Sequence, residues 1–173
     1  MTECSTQRLL FQDHGRREVT AEFDGGWITS DGGGLLLREV EARFGIVQSF
    51  VKCFTDHRDP DCIEFSVGEL LLQRVMGLAL GYEDLVDHDQ LRHDPVLAAL
   101  TGKLEAKRTN CAPLAGKSTL NRLEHAPSGP SRYHKIGHDS AAIEGLFVEL
   151  FLDAHDTPPK EIILDLDATD DPV

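Results

Sequence analysis

The stretch Glu161-Ile162-Ile163-Leu164-Asp165-Leu166-Asp167-Ala168-Thr169-Asp170-Asp171-Pro172 decides how the chain reads. Its apolar residues run together before they alternate, which predicts a strand covered on both faces, as in the middle of an α/β sheet. Side chains two apart on a strand share a face, so Asp165 and Asp167 project together where the strand runs out. Two carboxylates held side by side repel, and one gains a proton unless a cation lies between them. A hard, oxygen-seeking ion such as Mg²⁺ meets that need. The plainer alternative is a polar strand end that turns at Asp170-Asp171-Pro172. The remaining sequence offers a central strand no neighbours. Residues 158–173 are therefore expected to open an α/β domain that is truncated here, after a mostly helical region over residues 1–157.

Upstream, Ile143, Leu146, Phe147, Leu150 and Phe151 recur at helical spacing. Asp139 or Ser140 is the expected cap, and Pro158-Pro159 stops the helix. Val67, Leu70, Leu71, Val75, Leu78 and Ala79 mark a second helical face, with Ser66 as cap and Gly81 near its end. Shorter helices are expected over Gly34–Phe44, capped by Ser30 or Asp31 and ended by Gly45, after Asp94-Pro95, and over Ser118–His125, with a loop over Lys103–Ala115 and a linker over Pro127–Pro130. Near the start, Val19, Ala21 and Phe23 alternate before Asp24-Gly25-Gly26 and Trp27-Ile28-Thr29, which predicts a small hairpin. The expected fold is thus mainly α with an N-terminal β-hairpin, followed by the first strand of the truncated domain.

A chain of 173 residues, 40% hydrophobic with 15 Gly and 8 Pro, has globular values. No apolar run reaches the roughly eighteen residues of a membrane helix. The N-terminus (MTECSTQRLLFQDHGRR) lacks the apolar core of a signal peptide. Cysteines at 4, 53, 62 and 111 form no Cys-x-x-Cys pair, which suits free thiols in a reducing, cytoplasmic compartment.

The net charge of −13 argues against a polyanion partner, but it is unevenly spread. Residues 103–138 hold Lys103, Lys107, Arg108, Lys117, Arg122, Arg132 and Lys135 against Glu105 and Glu124. Both flanks are strongly acidic. A basic island of this kind is a candidate DNA contact, or else a solvated loop region. Within it, Gly116-Lys117-Ser118-Thr119 resembles the end of a phosphate-binding loop, but that pattern needs Gly where Cys111 stands. The better reading is a helix N-terminus capped by Ser118 or Thr119, whose free amides suit a DNA phosphate. Cys53, His57 and Cys62 lack the tight pair and fourth ligand of a zinc site. His134 and His138 are four apart, but Gly137 and the preceding Gly-Pro disfavour a helix there; His88 and His93 among Asp87, Asp89 and Asp94 read as surface polar residues.

Asp165, Asp167 and Thr169 fit the Asp-x-Asp-x-Thr of haloacid-dehalogenase-type phosphatases, although Asp170 stands where that family usually has an apolar residue. A broader resemblance is to the DDE transposases of bacterial insertion sequences. Their RNase H-like domain begins with an apolar strand ending in Asp-x-Thr, as in Asp167-Ala168-Thr169. The stretches ITSDGGGLLLRE (Ile28 to Glu39), ELLLQRVMGLALGYEDLVDHDQLRHDP (Glu69 to Pro95) and LAGKSTLNRLE (Leu114 to Glu124) also resemble that group, in the same order. The resemblance implies a helical N-terminal part that handles DNA ends and assembly. It further implies a split RNase H-like domain with three carboxylates that hold Mg²⁺ or Mn²⁺. Asp167 would be the first carboxylate, supported by Asp165, with the second Asp and the Glu downstream. Lys117, Ser118, Thr119 and Arg122 are then the candidate DNA-binding residues, the terminal inverted repeats of a mobile element the DNA partner, and a homodimer the candidate assembly. Residues 1–173 alone are expected to be catalytically silent. A non-enzymatic DNA-binding or dimerisation remnant is the alternative from another class.

Overall fold

The structure is a computed structural model that describes residues 9–10, 20–21, 30–103, 105–106, 111–129 and 131–163, the first two pairs by backbone alone. The described residues are mainly helical. In chain order the elements are β1 (Leu9–Leu10), β2 (Thr20–Ala21), α1 (Gly34–Phe44), α2 (Ile46–Val51), β3 (Phe54–Asp56), α3 (Val67–Ala79), α4 (His88–Leu91), α5 (Pro95–Thr101), α6 (Lys117–Glu124), β4 (Ile136–His138) and α7 (Ser140–Asp153). Single 3₁₀ turns at Pro60–Cys62 and Leu85–Asp87 precede α3 and α4.

The α3 helix organises the rest. Ser66 caps it by accepting from the Glu69 amide, while the Glu69 carboxylate accepts from the Ser66 amide at 2.7 Å. This reciprocal box satisfies two of the donors that a helix start leaves open. One flank of α3 packs Val67, Leu70 and Leu71 with Val47 of α2, Leu120 and Leu123 of α6, and Ile136 of β4. Further along, Met76 joins Leu97, Ala98 and Leu100 of α5 and Leu114. Two apolar clusters thus share one helix, with α1 seated against α5.

The structure departs from the sequence expectations in several places. Leu78 was expected on the buried face of α3, yet it is 46% exposed, whereas Gln73 and Arg74 are buried. Of the five apolar residues expected to seat α7, only Leu146 is buried and Phe147 is 66% exposed. Val148 and Leu152 extend the apolar surface around that helix, so spacing alone does not single out one face. The α1 helix begins at Gly33 without a side-chain cap, where Ser30 or Asp31 was expected. Instead, the Asp31 carboxylate accepts from the Tyr82 hydroxyl at 2.7 Å, which raises the pKa of that phenol above its ordinary value. Finally, β3 and β4 form an antiparallel pair, Phe54 opposite His138 and Asp56 opposite Ile136, where the sequence reading assigns no element.

Near the N-terminus, Ala21 pairs with Leu9 and Thr20 with Leu10. The expected turn at Asp24-Gly25-Gly26 and the partner at Trp27–Thr29 lie outside the described residues. At the other end, Glu161–Ile163 belong to no strand and Ile163 is 87% exposed. Leu164 to Asp167 lie outside the described residues. No helix among the described residues is long and apolar enough to cross a membrane.

Candidate nucleic-acid interface

The helix that carries Lys117, Ser118, Thr119 and Arg122 is α6, and the two buried polar residues of α3 grip it at both ends. At its start, the Gln73 side chain pairs with the Ala115 peptide. Gln73 Nε2 donates to the Ala115 carbonyl at 2.8 Å, and the Ala115 amide donates to Gln73 Oε1 at 2.9 Å. At its end, Arg74 Nε donates to the Glu124 carboxylate. The same guanidinium donates to the carbonyls of Tyr82 at 2.9 Å and Glu83 at 2.6 Å. Every buried polar atom left unpaired is costly, so these two side chains fix α6 against α3 with little freedom.

Gln73 also sets the state of His88, which is completely buried and not the surface residue that its acidic sequence neighbours suggest. The amide nitrogen that serves the Ala115 carbonyl also lies 3.1 Å from His88 Nδ1, so Nδ1 accepts and the ring carries its proton on Nε2. Gly77 faces the ring closely, since a Cβ there would stand 2.9 Å from His88 Cε1. Burial, with Arg74 nearby, pushes the His88 pKa below its ordinary 6.5. The folded state therefore resists protonation while the unfolded chain accepts it at about 6.5. Stability from this site is present above that value and is lost as pH falls through it towards the lower folded pKa. Urea unfolding of the unaltered chain and of His88→Gln at about pH 7.5 and about pH 5.5 is expected to show a smaller loss on acidification for the variant. Equal losses would remove His88 as the cause.

Gly116, rather than Ser118 or Thr119, is the N-cap of α6, and it offers no side-chain bond. The anion at this helix start comes from the protein itself. Asp89 Oδ1 accepts from the Lys117 amide at 3.1 Å, and Asp89 Oδ2 stands 3.4 Å from Lys117 Nζ. The amide bond, then the ammonium group, holds the Asp89 carboxyl below its ordinary pKa. A Cβ on residue 116 would sit 2.9 Å from Asp89 Oδ1, so glycine is what permits this approach. Asp89 is the partner that sequence reasoning missed. Nothing in the spacing of Asp89 and Lys117 announces a contact between α4 and α6.

The basic island divides once placed in space. Lys103 is buried, donating to the Glu64 carbonyl at 2.7 Å and to Glu69 at 3.2 Å, with the Phe65 ring centroid 4.2 Å from its ammonium. It is a structural cation. Burial opposes ionisation of Glu69, but the Ser66 amide and Lys103 outweigh it and lower its pKa. Lys107 and Arg108 lie outside the described residues. Arg122, Arg132 and Lys135 are exposed and make no ion pair among the described residues. On one side of α6, Thr119 and Arg122 line a cavity of about 170 Å³ with Arg58, Tyr133 and Lys135, floored by Leu70 and Ile136.

Asp165 and Asp167 lie outside the described residues. Among those described, no three His, Cys, Asp or Glu side chains converge to hold a metal ion. Cys53 is buried and Cys62 exposed, each a free thiol.

No curated protein and no solved structure matched the chain. The family model described as transposase DDE domain group 1 matches residues 11–173, a span that takes in the three resembling stretches, all of α6 and the Asp165–Thr169 motif. The chain therefore belongs to the DDE transposase family.

Proposed function

We propose that the helical body presents α6, with Lys117, Ser118, Thr119 and Arg122, to the terminal inverted repeats of a mobile element, while residue 158 onward opens an RNase H-like catalytic domain. The observation that carries this reading is the single family match running through both α6 and Asp167. In that domain Asp167 is the first catalytic carboxylate and Asp165 its neighbour, and together they offer oxygen ligands to Mg²⁺ or Mn²⁺. When bound, such ions activate the attacking oxygen and steady the leaving one in phosphodiester cleavage and strand transfer. The two carboxylates contribute charge and position, and the later Asp and Glu of the family are needed to complete the set. A homodimer handling two element ends in the cytoplasm fits the same reading. The match through Asp165–Thr169 favours this use of the motif over the phosphatase one.

DNA contact is tested by fluorescence anisotropy with a labelled duplex over a salt titration. Lys117→Ala combined with Arg122→Ala is expected to weaken binding across sequences and to flatten the salt dependence, because phosphate contacts release counterions. Equal affinity and slope for both proteins would place the contact away from α6.

A further inference from the structure

Two places beside α6 offer themselves to a phosphate, and they differ in one respect. At the N-terminus the amide and ammonium of Lys117 already hold the Asp89 carboxylate. A phosphate arriving there must displace that carboxylate or meet its charge. On the side of the helix, Arg122 and Lys135 are exposed cations with no ion pair among the described residues. Arg122 belongs to α6 and Lys135 immediately precedes β4, and both line the cavity of about 170 Å³. Arg58 stands at the same cavity, with its fork closed on Asp56 at 2.9 and 2.7 Å, and so adds a donor-bearing wall of little net charge. The Tyr133 ring, 76% exposed, forms the rim.

We infer that the principal backbone-phosphate contact beside α6 lies at the cavity between Arg122 and Lys135, and that the Lys117 end of the helix contributes less because Asp89 competes for it. This rests on the proposal that α6 faces DNA. The reasons are electrostatic. In a chain of net charge −13, a polyanion is repelled from most of the surface, and unneutralised cations decide where it settles. An exposed pair such as Lys117–Asp89 has spent its charge locally, whereas Arg122 and Lys135 release counterions when a phosphate arrives. Lys135 lies next to β4, whose pairing with β3 fixes its backbone. The Lys135 carbonyl accepts from the His57 amide at 2.7 Å, a bond that a side-chain substitution leaves intact.

The test compares Lys135→Ala with Lys117→Ala in the full chain, each binding a labelled mixed-sequence duplex over a salt titration. Lys135→Ala is expected to weaken binding about threefold to tenfold and to lower the salt slope by about one, and Lys135→Glu to weaken it further. Lys117→Ala is expected to weaken binding and lower the slope less than Lys135→Ala does, because Asp89 already offsets its charge. Circular dichroism keeps misfolded variants out of the comparison. Loss in Lys117→Ala with Lys135→Ala unchanged would overturn the cavity as the site while leaving α6 as the DNA-facing helix. No binding by the unaltered chain at low salt would overturn both.

Discussion

Replacing Arg74 with alanine is expected to destabilise the chain by about 2–4 kcal/mol, measured by urea unfolding. The guanidinium is buried within α3 and satisfies the Tyr82 and Glu83 carbonyls together with the Glu124 carboxylate. Truncation leaves two backbone acceptors without their donors, at about 1–3 kcal/mol for each one left dry. Glu124 weighs less, because its side chain is 32% exposed and water can replace the lost partner. Arg74→Lys is expected to recover little, since one ammonium does not reach three acceptors arranged for a planar fork. Arg74→Met restores much of the volume without the donors and separates packing from hydrogen bonding. If the alanine and methionine variants both stay within about half a kcal/mol of the unaltered chain, the grip on α6 is not structural. DNA affinity should fall along with stability, because the same guanidinium orients the helix that bears Arg122.

This central role of α3 was only partly legible in the sequence. Ser66 as a cap and the spacing of Val67, Leu70 and Leu71 announce a capped, half-buried helix, and the structure has one, with Glu69 completing the cap. Gln73 and Arg74 look instead like breaks in an apolar run. Their partners, Ala115 and Glu124, lie 42 and 50 residues away, and no local pattern encodes contacts that long. For the same reason β3 and β4 were missed. Each has three residues, too short for alternation to register, and their pairing spans about eighty positions of chain. Gly45 and Asp94-Pro95 were legible because ending and starting a helix are local acts of backbone geometry. The cap of α6 was misjudged because Ser118 and Thr119 are good capping residues in isolation. Asp89, supplied by another helix, lets Gly116 take that place.

The candidate site shows the same division. Composition located the basic island, but it cannot distinguish Lys103, buried against Phe65, from Lys135, exposed beside an open cavity. Charge counts treat the two alike. Burial and pairing, both tertiary properties, decide which is available to a phosphate. The pairing of Asp165 with Asp167 rests on a local rule, that residues two apart on a strand share a face, and both residues lie outside those described.

Strand cleavage is the second large expected effect, and it bears on the central claim that Asp167 is the first carboxylate of a DDE transposase. In the proposed reading Asp165 and Asp167 offer ligands to the metal, and two neighbouring acids do not by themselves hold a pair of ions across a reacting phosphate. The most direct measurement is nicking and joining of terminal-repeat DNA in Mg²⁺ or Mn²⁺. It uses residues 1–173 alone and a polypeptide extended through the family's later Asp and Glu. The expected result is no cleavage by residues 1–173. The extended polypeptide should cleave only with metal, and Asp167→Ala should lower its rate about a thousandfold or more, equivalent to about 4 kcal/mol of transition-state stabilisation. Metal-dependent nicking by residues 1–173 that disappears in Asp167→Ala, or an extended polypeptide that keeps its rate without Asp167, would contradict it.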